Sequence, residues 1–259
     1  MSMRSFQSLA PAGAPWRVVA LALGAALAAS CMPLPPEQGG GVAVSTGPLS
    51  DQWSVVWDPV SRTPLTMTNR SLQDEHPAEI PDISDSAAFE ATLQVFRGYR
   101  EWWRWRLGVD DIRLVRGYSR GWVRFLRIEQ LYNGVPVGGG GYDVRVFTGG
   151  RVASLEGRFY PEIAIAVAPV LNPQQAEERA RAVDPASLAT GASLPPLQLE
   201  YEHGFAGPIV LVVLPRAADF VLAWGVLVPA PPNGSARIYV DAKNGALLGM
   251  QLVGGVWQH

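Results

Sequence analysis

Residues 122–142 read WVRFLRIEQLYNGVPVGGGGY, and no other stretch says as much about the architecture. Alternating apolar and polar residues run into Asn133-Gly134, and Val135-Pro136-Val137 then meets the four glycines Gly138 to Gly141. Asn-Gly flanked by such alternation marks a two-residue hairpin, because a type I′ turn needs positive φ at both central positions. Pro136 has no N–H to give to a ladder, so the returning strand is expected to start at an edge or a bulge. The glycine run lacks a following helix and the lysine and serine or threonine of a phosphate-binding loop, and it reads as a flexible strand entry.

Upstream, Ser84 or Asp85 can cap a helix in which Phe89, Leu93, Phe96, Trp103 and Leu107 form one apolar face. Tyr99, Trp102 and Trp105 alternate there with Arg97, Arg100, Arg104 and Arg106. Such interleaving can serve nucleic-acid binding, but the favoured reading is arginine stems laid over aromatic faces at a core edge. Earlier still, residues 53–57 and 64–68 read as a short opening hairpin.

Downstream, strands are expected at 142–147 and 151–159 around the turn Thr148-Gly149-Gly150. Asn172, Pro173 and Gln175 form a capping-box start for a helix whose Ala176, Ala180 and Val183 share a face, and Pro185 ends it. Strands should follow at 197–201, 209–214 and 220–228. A last hairpin should pair 237–241 with 246–251 across Lys243-Asn244-Gly245.

The pattern Glu129-Gln130-x-Tyr132-x-Gly134-Val135-Pro136-Val137-x-Gly139-Gly140 resembles the central signature of the FTP domain, found in propeptides of fungalysin and thermolysin-type metallopeptidases. The likeness extends over about residues 53–251. Its second half resembles the PepSY module of those propeptides, with Leu222-Ala223-Trp224-x-Val226 and Val240-Asp241-Ala242-x-x-Gly245 at PepSY-type positions. Gly138 departs from the family, which usually places a bulky residue there. The resemblance implies an α+β fold of two successive cystatin-like modules, each an antiparallel sheet with a packed helix. An FTP-like module is expected at 51–160, a PepSY-like module at 161–252 and a tail at 253–259. It also implies a partner, a thermolysin-type metallopeptidase, with Tyr132, Gly134, Pro136, Val256 and Trp257 as partner-binding residues. The tail would lie nearest the partner's active site.

The ends of the chain bear on location. Arg4 and Arg17 precede an apolar run at 18–29, about 18 Å as a helix and too short for a bilayer core of about 30 Å, so residues 1–30 read as a signal peptide. Leu27-Ala28-Ala29-Ser30-Cys31 resembles a bacterial lipobox, with Ala28 where leucine is preferred; the competing reading is an ordinary secretory signal with a chance cysteine. Residues 31–50, rich in Pro, Gly and Ser, are expected to tether the domain. Lipid on Cys31 would anchor the protein in the bacterial envelope, periplasmic or surface-facing, with the outer membrane the expected site. As Cys31 is the only cysteine, an intramolecular disulfide is impossible.

Several chemistries find no residues to carry them. A formal net charge of −2 argues against a nucleic-acid partner. A thermolysin-type peptidase needs HExxH, yet His76, His203 and His259 stand far apart, so no catalytic residue, metal or cofactor is expected. Asp110-Asp111 and Glu177-Glu178 are acidic pairs by type alone. The sequence therefore points to a propeptide-like lipoprotein that binds, inhibits or assists folding of a peptidase in trans. The alternative is an envelope interaction protein that kept the fold and lost peptidase binding.

Overall fold

The computed structural model describes residues 52–72, 83–147, 149–184, 207–216, 219–230 and 234–253. All its elements belong to a unit spanning 38–259. Cys31, the three histidines, Pro185, the expected strand 197–201, Val256 and Trp257 lie outside the described residues.

Ten strands form: β1 (Trp53–Trp57), β2 (Pro64–Asn69), β3 (Asp110–Arg120), β4 (Val123–Tyr132), β5 (Val135–Phe147), β6 (Arg151–Arg158), β7 (Ile209–Arg216), β8 (Asp219–Ala230), β9 (Gly234–Asp241) and β10 (Leu247–Val253). The helices are α1 (Asp85–Gly98), α2 (Arg100–Trp103) and α3 (Pro173–Arg181), with one 3₁₀ turn at Arg70–Leu72.

The expected α+β arrangement of two cystatin-like modules, each with its own antiparallel sheet, is corrected here. The described residues build one mixed network of ten strands in the order β1-β2-β6-β5-β7-β8-β9-β10, with β4 also on β5 and β3 on β4, and helices are a minority. The joint is β5. Asn133 and Gly134 take φ of 46° and 78°, as a type I′ turn requires, and Pro136 pairs with Leu131. The ladder with β4 then breaks and resumes only at Glu129 opposite Gly141. In the gap, Val137 pairs in parallel with Val213 of β7. The irregularity expected of Pro136 is thus the place where the two halves of the sheet meet.

The glycine run is buried within β5, which corrects its reading as a flexible entry. Gly141 has φ +141°, and a Cβ on it would stand 2.2 Å from the Ile128 carbonyl oxygen. A Cβ on Gly157 of β6 would come within 2.0 Å of the Gly141 carbonyl oxygen. The three central strands approach each other this closely only because both positions lack side chains.

One face of the first sheet half is apolar. The cross-strand row Leu126, Val144, Leu155, Met67, Val55 is buried and packs with Ala88 and Phe96 of α1 and Trp103 of α2. Trp103 Nε1 donates to the Tyr142 hydroxyl at 2.9 Å, and that hydroxyl donates to the Pro64 carbonyl, so the polar ends of these two side chains are satisfied. Ser84 caps α1 through the Ala87 N–H. The helical stretch stops sooner than the apolar spacing implied: it breaks at Tyr99, and Arg104, left-handed at φ 48°, ends α2. Leu107, expected on the apolar face, is consequently 71% exposed.

A second core gathers Ile163, Val213, Leu222, Trp224, Ile238 and Met250 with Ala176, Ala180 and Val183 on and just after α3. The capping box of Asn172 and Gln175 forms as the sequence implied. Strand β3 is an addition, since no element was expected at 108–121.

Gly141→Ala should destabilise the protein by at least about 2 kcal/mol, since the methyl meets the backbone of β4 at Ile128 and Glu129. Urea unfolding midpoints measure it, and Gly134→Ala, with nothing within 4 Å of its added Cβ, should show the smaller cost of a strained turn alone.

Candidate partner-binding surface

Most of the signature residues serve the joint. Gln130 is fully buried; its Nε2 donates to the Tyr160 carbonyl at 2.7 Å and its Oε1 accepts from the Tyr160 N–H at 2.8 Å. The buried Tyr132 donates its hydroxyl to the Ile165 carbonyl at 3.0 Å, and the Arg106 guanidinium lies 5.6 Å from its ring centre. Gly134 sits exposed in the turn, and Pro136 is half-buried beside it.

Arg106 fastens the same corner. It grips both oxygens of the buried Asp110 at 2.8 and 2.9 Å and reaches the Ile163 carbonyl at 3.0 Å. The hydrogen bond to Asp110 is the main cause holding its pKa above the ordinary value. Asp110 is therefore structural, while Asp111 beside it is exposed. Glu177 pairs with Arg181 one turn on along α3. Among the described residues, no group of three or more His, Cys, Asp or Glu is placed to hold a metal ion.

The arginines interleaved with aromatics near α2 are engaged internally. Arg97 pairs with Glu90, Arg100 with Glu101, and Arg104 with Glu162 and the Ser61 carbonyl. Trp102 packs edge-on against Trp57, and Trp105 donates to the Asp110 carbonyl. The aromatics complete the edge of a core, and the arginines pair with carboxylates of their own chain.

The surface that sequence reasoning missed is the other face of the first sheet half. Because side chains alternate across a strand, the rows flanking the apolar one point away from α1. One row runs Arg116, Arg127, Asp143, Glu156, Thr66; the next runs Tyr118, Phe125, Arg145, Ser154, Thr68. Tyr118 and Phe125 stack with ring centres 5.0 Å apart and planes 8° from parallel, and Arg145 lies 6.0 Å from the Phe125 ring centre. Beside them a cleft of about 570 Å³ is lined by Thr66, Thr68, Trp122, Phe125, Arg145 and Phe147, among others. Arg113 binds Glu129, and the buried Arg127 meets Asp143 at 3.3 Å. Arg116, Tyr118 and Arg120 are exposed, and among the described residues neither arginine side chain has a hydrogen-bond or ion-pair partner. The legible signal was the alternation Arg116-x-Tyr118-x-Arg120, which has meaning only once residues 110–120 are a strand.

No family model and no curated protein matches the chain. Among solved structures, the Bacillus megaterium YpeB C-terminal domain is similar at 12% identity and a TM-score of 0.39, covering 82% of this chain and 88% of that one. A candidate lipoprotein from Clostridium difficile 630 is similar at 13% identity and a TM-score of 0.22, covering 69% of this chain and 97% of that one. At TM-scores this low, neither carries its properties over to this chain.

Glu129 gives the surface a pH dependence. Burial raises its carboxyl above the ordinary value, opposed by the hydrogen bond and charge of Arg113 and the charge of Arg127. The folded state therefore holds the Glu129 proton more tightly than the unfolded chain does. Its contribution to stability is full below the ordinary value of 4.5 and is lost as pH rises through the higher folded-state value. Urea midpoints for the parent and Glu129→Gln at pH 7 and near that value should show the parent gaining on the variant in acid; the reverse trend would mean that the Arg113 pairing outweighs burial.

Proposed function

We propose that the chain is a lipid-anchored, propeptide-like binding protein that engages a thermolysin-type zinc peptidase supplied in trans, inhibiting it or assisting its folding. The observation that carries this reading is the use the fold makes of the signature. Gln130, Tyr132, Pro136 and Val137 all take part in the joint between the two halves of the sheet, so the resemblance lies in residues that specify architecture. Surface positions vary more freely, and a likeness confined to them would weigh less. The exposed face bearing Tyr118 and the cleft beside it give such a partner somewhere to dock. Val256 and Trp257 are the candidates for reaching its active site.

Stoichiometric full-length chain should lower the activity, or raise the refolding yield, of a secreted thermolysin-type peptidase from the same bacterium. No effect on any of them removes this reading, and capture of non-peptidase envelope proteins instead supports the alternative.

The anchor rests on the lipobox-like residues around Cys31. No helix among the described residues is long and apolar enough to cross a membrane. Cys31→Ala should release the protein from the membrane fraction or leave its leader uncleaved. Membrane association unchanged by the substitution would mean that something other than a lipid on Cys31 holds it there.

A further inference from the structure

We infer that the free edge of β3 is a docking site for an extended acidic segment, which adds as a further strand and sets carboxylates against Arg116 and Arg120. Strand β3 pairs with β4 alone, and no described strand occupies its other edge. That edge presents backbone N–H and C=O groups whose natural partner is another extended chain. The site would serve such a segment whether or not the partner is a peptidase.

Charge names the class of segment. Arg116, Tyr118 and Arg120 project from one face of β3, at a spacing of about 6.8 Å for every second residue of a strand. A strand added to this edge carries its own alternate side chains on that face at the same pitch. Cross-strand neighbours of opposite charge stabilise, and like charges directly opposite destabilise. Arg116 already faces a like charge, since Arg127 stands directly across from it on β4. Arg127 meets Asp143 and Glu129 is taken by Arg113; Glu156 shares the row, but among the described residues no carboxylate forms an ion pair with Arg116 or Arg120. The matching segment reads acidic-x-aromatic-x-acidic, with its central ring beside the Tyr118–Phe125 stack.

The same arginines reject the wrong partner. A second copy of this chain adding edge to edge would bring its own basic β3 against this one, so the edge admits acidic strands and refuses itself.

The probes are three labelled ten-residue peptides titrated against the purified full chain. One alternates glutamate around a central tyrosine; the second carries lysine for glutamate; the third is the acidic peptide with alternate backbone amides methylated. The acidic peptide should bind at least tenfold tighter than the lysine peptide at low salt, with the gap narrowing as salt is added. Methylation should cost at least tenfold, which separates strand addition from general attraction to anions. The doubly substituted chain Arg116→Glu, Arg120→Glu should bind the lysine peptide in preference, a reversal that only a folded protein with an intact edge can give. Equal binding of the acidic and lysine peptides, no binding of any at millimolar concentration, full binding of the methylated peptide, or an unreversed preference in the substituted chain would each overturn the inference.

Discussion

One buried amide pins the chain leaving β6 to β4, beside the place where the two halves of the sheet meet. The Gln130 side chain both donates to and accepts from the backbone of Tyr160, as a neighbouring strand would, in a place where water cannot substitute. A buried amide left without partners costs about 1–3 kcal/mol for each lost group, so this contact fixes the path of the chain leaving β6. It also dictates its surroundings: a Cβ on Gly140 would stand 2.8 Å from Gln130 Oε1 and 3.2 Å from the Val137 Cβ. Glycine at 140 clears space for the amide, and glycine at 141 lets β5 rejoin β4. Between Pro136 and Gly141, Val137 is free to pair with β7. The turn, the proline, the glycines and the glutamine are parts of one joint.

What was legible in the sequence was local. The Asn133-Gly134 turn, the Ser84 cap and the Asn172 capping box each need only a few adjacent residues, and each formed where expected. The merging of the sheet was not legible, because it rests on one parallel pairing between Val137 and Val213, which no short pattern announces. The early end of the second helix was hidden for another reason: Arg104 turns left-handed with no glycine to mark the place.

Strand β3 escaped for a third reason. A strand at an edge with one face open to solvent shows only half a hydrophobic pattern, and here Arg113, Arg116 and Arg120 dilute it while Gly117 reads as a break. Gly117 is in fact the residue over which α1 starts, since a Cβ there would collide with the Asp85 carboxylate at 1.8 Å. The exposed arginines and tyrosine therefore announce no element, while the arginines near α2 bind their own chain. The signature was visible, but its glutamine and tyrosine are spent on the joint.

Stability alone gives a poor account of the open face. An arginine placed directly across from another, with the nearest carboxylates already engaged, weakens the pairing of β3 with β4, and Arg116 stands in that position opposite Arg127. Stacked rings at the surface of an edge likewise leave apolar area in water, and Tyr118 remains 54% exposed. The apolar rows beneath can tolerate these costs: burying Leu126, Val144, Leu155 and Met67 contributes roughly 1.5–3 kcal/mol for each large side chain. The core behind the sheet is therefore what allows its front to be shaped for charge and access.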